Sequence, residues 1–256
     1  MNTRSRLAGA ILALAFSAML PNIGTAAEIK VIASNAVKEA YADLVPAFEK
    51  TSGHKVTTVW GGTLDITRRV SAGEVFDIVV IPASGIDSLI RDGRLAAGSR
   101  IDFAKSGIGI ARHPSAPKPD VSSADALKAS LVSARSIVLS SGPSSFYLLD
   151  LFKKWGIADT LAPKIKRLAS GLSVGESLAR HEGDIGFTQI SEFLAIKGID
   201  YVGPLPADVQ HMTVFAMGVH AAAPAAAPAR QLISFLTSPE ATKALHHSGM
   251  EPGWVK

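Results

Sequence analysis

Ser136-Ile137-Val138-Leu139-Ser140-Ser141-Gly142-Pro143-Ser144-Ser145-Phe146-Tyr147 carries a short β-branched run into small hydroxyl residues and then into a helical pattern. That order predicts a strand, a tight loop and a helix start. The helix is expected from about residue 145 to 155, with Phe146, Leu149, Leu151, Phe152 and Trp155 on its apolar face and Ser144 or Ser145 as its cap. A helix that opens this way turns free N–H groups and the positive end of its dipole toward whatever lies in front of it, which suits an anion.

The same order of strand, small or polar break and helix recurs upstream. Glu28-Ile29-Lys30-Val31-Ile32-Ala33 reads as a strand that stops at Ser34-Asn35-Ala36, before a helix to about Thr51 that Gly53 closes. Residues 55–60 form a second strand, broken by Gly61-Gly62-Thr63-Leu64-Asp65 ahead of a short helix to Ala72. Phe76-Asp77-Ile78-Val79-Val80-Ile81 is nearly continuously apolar, the pattern of a strand covered on both faces of a parallel sheet, and Pro82-Ala83-Ser84-Gly85 ends it. Three such units in series predict a doubly wound α/β layer whose ligand lies off the carboxyl ends of the strands.

Ser106-Gly107-Ile108-Gly109-Ile110-Ala111 reads as a glycine-interrupted strand crossing into a second lobe. There a helix is expected at 123–134, then the opening stretch, a strand at 165–169, the loop Ser170-Gly171-Leu172-Ser173 and a short helix at 174–180. Asp184-Ile185-Gly186-Phe187-Thr188-Gln189 is a compact buried strand with a helix expected at 190–196, and residues 212–219 form a long strand returning to the first lobe. Helices at 227–238 and 239–248 end the chain. The expected division is 28–106 for the first lobe, 107–210 for the second and 211–256 for the return to the first.

Ahead of this lies Met1-Asn2-Thr3-Arg4-Ser5-Arg6, an apolar segment over 7–20, Pro21 and the small residues Thr25-Ala26-Ala27, the pattern of a secretory signal peptide cleaved near Ala27. Its removal takes away Arg4 and Arg6 and no acid, which lowers the net charge from +4 to +2. A nearly neutral chain without a basic patch interleaved with aromatics is not expected to bind nucleic acid. The absence of cysteine excludes disulfides, thiolate metal sites and cysteine nucleophiles together. The pair His246-His247 has no third ligand at metal spacing, so neither a metal nor a cofactor is expected. A periplasmic monomer is the expected state.

Taken together, these residues resemble the periplasmic molybdate-binding-type solute-binding proteins of ABC transporters. The likeness is carried by Ala33-Ser34 and the helix after it to Phe48-Glu49-Lys50, by Arg68-Arg69-Val70-Ser71-Ala72-Gly73 with Asp77-Ile78, and by Gly93-Arg94-Leu95-Ala96-Ala97-Gly98-Ser99-Arg100. Glu182-Gly183-Asp184-Ile185-Gly186-Phe187 and Leu232-Ile233-Ser234-Phe235-Leu236 extend it over the rest of the chain. The resemblance implies an α/β protein of the two-lobed type II periplasmic binding class, with a hinged cleft that closes on a small anion for delivery to a membrane permease. It places the family's first ligand serine at Ala36, with Ser34 two residues earlier, the second at Gly62 or Thr63, and the ligand tyrosine at Gln189. Backbone donors would fall near Ser144 and Leu172, with Ser145 and Tyr147 beside the first of them.

Ala116-Pro117-Lys118-Pro119-Asp120, Ser173-Val174-Gly175 and Gly186-Phe187-Thr188-Gln189-Ile190-Ser191-Glu192 are also similar to a side branch of the family that includes a periplasmic aconitate isomerase. That alternative makes the chain an enzyme on a binding-protein scaffold, with Asp65, Tyr147 or Glu192 as the base. The loops expected at the cleft hold hydroxyl and amide side chains but no Arg, Lys or His, which favours a binder that grips an anion with N–H and O–H donors.

Overall fold

The computed structural model describes residues 26–254, so the expected export segment lies almost wholly outside the described residues. β1 (Glu28–Ser34) passes through a 3-10 turn at Asn35–Val37 into α1 (Lys38–Ser52), β2 (Lys55–Gly61) into α2 (Thr63–Ser71), and β3 (Ile78–Pro82) into α3 (Ala83–Arg91). The long β4 (Ile101–Arg112) leads to α4 (Ala124–Ser133), β5 (Ile137–Leu139), α5 (Pro143–Lys154), α6 (Ala158–Leu161), β6 (Ile165–Arg167), α7 (Val174–Ala179) and β7 (Ile185–Gln189). A further 3-10 turn, Ile190–Glu192, precedes β8 (Asp200–Pro204), β9 (Met212–Val219), α8 (Ala226–Leu236), α9 (Ala241–His247) and β10 (Glu251–Pro252).

The strands follow the order β2-β1-β3-β9-β4-β7-β5-β6, with β8 and β10 both paired to β4. β1 runs parallel to β2 and β3, and β5 runs parallel to β6 and β7. Each parallel group is the heart of one lobe. β4 is antiparallel to both β9 and β7, and it changes partner along its length. Up to Gly107 it pairs with β9, and from Ile108 onward with β7. At that change the Gln210 side chain takes both polar groups of Ile108, accepting its N–H at 2.9 Å and donating to its carbonyl at 3.0 Å.

The apolar runs acquire two covers, as the parallel pattern requires. In β1, Val31 and Ala33 pack with α1, α8 and α9, while Ile32 packs with Ile66 and Val70 of α2 and with α3. In β3, Ile78 and Val80 join the first cluster and Val79 and Ile81 the second. β5 repeats the arrangement, with Ile137 and Leu139 facing α4, α5 and α6 and Val138 facing α7.

Three elements differ from the sequence reading. The α5 helix begins at Pro143, a turn position where a fixed φ and a missing N–H cost nothing, so its cap position falls on Gly142 and not on Ser144 or Ser145. The helix expected at 190–196 is only a 3-10 turn: Phe193 is buried, and Ile196 folds so tightly over Gly175 that a Cβ there would stand 2.8 Å from its Cγ1. The strand expected to reach Ala169 ends at Arg167. Its continuation bends into the loop that faces α2.

Candidate functional site

A small cleft of about 40 Å³ lies between the lobes, off the carboxyl ends of β1, β2, β5 and β7. From the first lobe it is lined by Ser34, Asn35, Ala36, Gly61, Gly62 and Thr63, with Phe215 of β9 behind them. From the second come the Ser140–Ser144 loop, Gly171, Leu172, Gln189 and Glu192. None of the described residues that line it is Arg, Lys or His.

Three helical starts meet here. Ser34 caps the turn at Asn35–Val37, its Oγ accepting the Ala36 N–H at 3.4 Å. Gly62 stands at the cap of α2 without a side chain, so the first-turn amides of Thr63 and Leu64 have no intrahelical acceptor. At α5, Pro143 has no N–H, and the Ser144 amide is the first that can face outward. Ser140 Oγ organises this loop by accepting the Gly142 N–H at 3.2 Å and meeting Ser144 Oγ at 3.1 Å. α2 and α5 are long enough to carry dipoles whose positive ends point into the same space.

The lobes are closed on one another. Asn35 Nδ2 donates to Gly171 O at 3.1 Å, Ser191 Oγ to Ala36 O at 2.7 Å, and the Asp65 N–H to Ser170 Oγ at 3.4 Å. Gly62 is pressed against the opposite lobe: a Cβ added there would lie 2.3 Å from Ser170 Oγ and 2.6 Å from Gly171 N. Only a hydrogen fits.

The structure therefore brings together Ser34, Ala36, Gly62, Thr63, Ser144, Leu172, Gln189 and Glu192. It sets others apart. Ser145 is fully buried behind the loop, and its N–H goes to Gly142 O. The Tyr147 hydroxyl donates to Val209 O at 2.8 Å and the ring stacks on His211 at 4.6 Å, away from the cleft lining. Burial and the nearby Asp208 carboxylate push that phenol up. Asp65 is not among the lining residues, and its carboxylate lies 2.5 Å from Arg68. Leu172 lines the cleft, yet its N–H closes a turn onto Ala169 O at 3.2 Å. Gly171 and Phe215 join the lining without having been singled out. The Gly171 position could have been suspected from its place in the Ser170-Gly171-Leu172-Ser173 break, whereas nothing local marks Phe215.

Glu192 is the one ionisable group in the wall. Its Oε2 accepts the Thr188 hydroxyl at 2.5 Å. Burial pushes the carboxyl up, and the hydrogen bonds from Thr188 and from the Gln189 N–H pull it part-way back. Among the described residues no group of three or more His, Cys, Asp or Glu is placed to hold a metal ion.

The sequence profile of the bacterial extracellular solute-binding proteins matches residues 29–251. The chain belongs to that family. An aconitate isomerase of Pseudomonas sp. is 33% identical to it over 230 residues, which is 88% of this chain and 87% of the isomerase. The periplasmic molybdate-binding protein of Azotobacter vinelandii superposes with a TM-score of 0.73 at 19% identity, covering 87% of this chain and 98% of its own. The sulfate-binding protein SubI of Mycobacterium tuberculosis reaches 0.72 at 18% identity, covering 88% of this chain and 87% of its own. At these identities the solved structures speak for the fold, a two-lobed α/β binding-protein architecture.

Within this family member the cleft has a chemistry of its own. Ala36 contributes no hydroxyl, and Ser34 stands in the lining two residues before it. Gln189 donates from Nε2 to Thr213 Oγ1 at 3.0 Å and leaves its Oε1 buried with no partner among the described residues. The first-lobe side and the α5 loop offer donors; the side made by Gln189 and Glu192 offers acceptors.

Proposed function

We propose that the chain is an exported binding protein that closes on a small anion and presents it to an ABC-type permease, with Ser34, Thr63 and Ser144 among its contacts. The division into lobes at 28–106, 107–210 and 211–256 belongs to this proposal, with the hinge where β4 changes partner beside Gln210. One observation carries the reading: helical starts from both lobes point free amides and hydroxyls into one cleft that has no basic side chain among its lining residues. The cleft volume of about 40 Å³ corresponds to about three water-sized spaces. A compact oxyanion or a single carboxylate group suits that size; a whole tricarboxylate suits it only with the lobes parted.

A thermal-shift screen of molybdate, tungstate, sulfate, phosphate and small di- and tricarboxylates tests the reading. A ligand at a thousand times its dissociation constant stabilises the folded state by about 4 kcal/mol, and for a chain of this size the melting temperature then rises by on the order of 10 °C. A screen in which none of these anions raises it refutes the proposal.

The second reading is an aconitate isomerase, and the likeness to the Pseudomonas enzyme over 88% of this chain supports it. Of the three candidate bases, Glu192 is the one this reading favours, because it lines the cleft while Tyr147 bonds Val209 and Asp65 is paired with Arg68. In that chemistry the carboxylate takes a methylene proton, the electron pair shifts the double bond by one carbon, and the proton returns at the far end of the allylic unit. Conversion of trans-aconitate to cis-aconitate that Glu192→Gln abolishes would establish this activity; no conversion above a protein-free control would leave the binder alone.

A further inference from the structure

We propose that the cleft takes up its anion together with one proton, shared between the ligand and the Glu192 carboxyl. The inference rests on the anion-binding reading above and adds what that reading omits: the site made for a negative ligand contains a negative group of its own. Glu192 lies in the same lining as Ser34, Thr63 and Ser144. Among the lining residues no Arg, Lys or His stands by to neutralise it. An ionised carboxylate about 4 Å from a bound anion would weaken binding by about a thousandfold at an effective dielectric constant near 20. One proton between them converts that repulsion into an O–H···O⁻ hydrogen bond, the short and strong kind.

The surroundings favour the protonated form. Burial raises the affinity of the carboxyl for a proton, and only the Thr188 hydroxyl and the Gln189 N–H work against this. The elements packed around the turn add little charge. β7 has no ionisable residue, the turn at Asn35–Val37 has none, and Lys38 and Glu39 follow it in α1. β4 carries Asp102, Lys105 and Arg112, of which Asp102 pairs with Arg100 and Arg112 with Asp200 of β8. β8 also carries Tyr201, and α7 carries Glu176. Beside Glu192, the buried Gln189 Oε1 is a further acceptor without a partner, so this wall attracts a hydrogen and not another bare oxyanion.

The balance is simple. Wherever Glu192 is ionised in the free protein, binding takes one proton from water and holds it between the carboxyl and the ligand, with no bond to carbon made or broken. Above the carboxyl's own pKa, the affinity for an anion that carries no proton should fall about tenfold per pH unit.

The test is titration calorimetry from pH 5 to 9 in buffers of different ionisation enthalpy, using molybdate, sulfate and trans-aconitate as probes. The expected result is proton uptake that climbs toward one per bound anion at the alkaline end, with affinity falling in step. Glu192→Gln should bind with no uptake and with a flat pH profile. Binding by the parent without proton uptake anywhere in that range overturns the proposal, as does a Glu192→Gln variant that takes up the proton like the parent. Should the variant fail to fold, the parent's uptake decides alone. If none of the three probes binds at any pH, the same titration is run with whichever anion the thermal-shift screen identifies; a screen in which no anion binds sinks the anion-binding reading and this inference with it.

Discussion

Replacing Gly62 by Ala tests whether the closed arrangement is the binding form. The backbone there, φ −82° and ψ 151°, is open to any residue, so alanine brings no conformational strain. What it brings is a methyl group 2.6 Å from Gly171 N and 2.3 Å from Ser170 Oγ. The hydroxyl can rotate away, but the backbone nitrogen cannot. Relief to an ordinary contact of 3.4 Å therefore moves the Ser170-Gly171 loop back by about 0.8 Å, the kind of backbone shift that overpacking forces. It also stretches the Asp65–Ser170 and Asn35–Gly171 hydrogen bonds. Overpacking of this kind costs about 1–3 kcal/mol, and here the cost falls only on the closed form. Affinity should drop by about 5- to 150-fold, since about 1.4 kcal/mol is a factor of ten. The melting temperature of the ligand-free protein should move little if opening relieves the clash. Calorimetric titration with the anion found by the screen, together with solution scattering of the free and bound variant, measures both. A Gly62→Ala protein that binds like the parent would show that the ligand does not need these two loops together.

Gln210→Ala removes both hydrogen bonds to Ile108. At about 0.5–1.5 kcal/mol each the loss is about 1–3 kcal/mol, so the melting temperature should fall by about 3–10 °C; an unchanged melt would deny the clamp any role in stability. Glu182 accepts from Arg180, Lys166 and Ser177, which together hold its carboxyl down at about 2. A depressed folded-state pKa contributes stability that is present above the unfolded-state value near 4.3 and lost as pH falls toward 2. Parent and Glu182→Gln should accordingly differ at pH 7 and converge over that acidic window, as followed by denaturant melts. A constant difference down to pH 2 would contradict the assignment.

The sheet was legible because burial leaves a local mark. Ile78-Val79-Val80-Ile81 and Ile137-Val138-Leu139 are apolar at every position, and each proves to have helices on both sides. Gly53 announced the end of α1 and adopts the left-handed conformation, φ 74°, that makes glycine useful there. Loops at strand ends were legible as a group, since the Ser34, Gly62, Ser140 and Ser170 breaks do converge. Which atoms of those loops face the cleft was not. Tyr147 turns toward Val209 and His211, partners far along the chain that no periodicity reveals. The Leu172 N–H is taken by a local turn onto Ala169 that a spacing argument does not register. Glu192 read as a first-turn residue of a helix at 190–196 and as one of three candidate bases; its place in the wall comes from the 3-10 turn that Ser191 ties across the lobes to Ala36.

The position of β9 bears on how the molecule assembles. β9 is inserted between β3 and β4, and α8 and α9 after it cover α1. Until Val219 is available to pair with Ile78, β3 has an unfilled edge, and the first lobe is a three-stranded remnant lacking part of its cover. Pairing so distant along the chain forms late and slowly. The second lobe, whose β5, β6 and β7 are close neighbours in sequence, has no such wait. A chain emerging from its N-terminus thus builds its middle before its beginning is finished, and β3 carries an open strand edge, the kind that recruits other chains, until β9 arrives more than a hundred residues later.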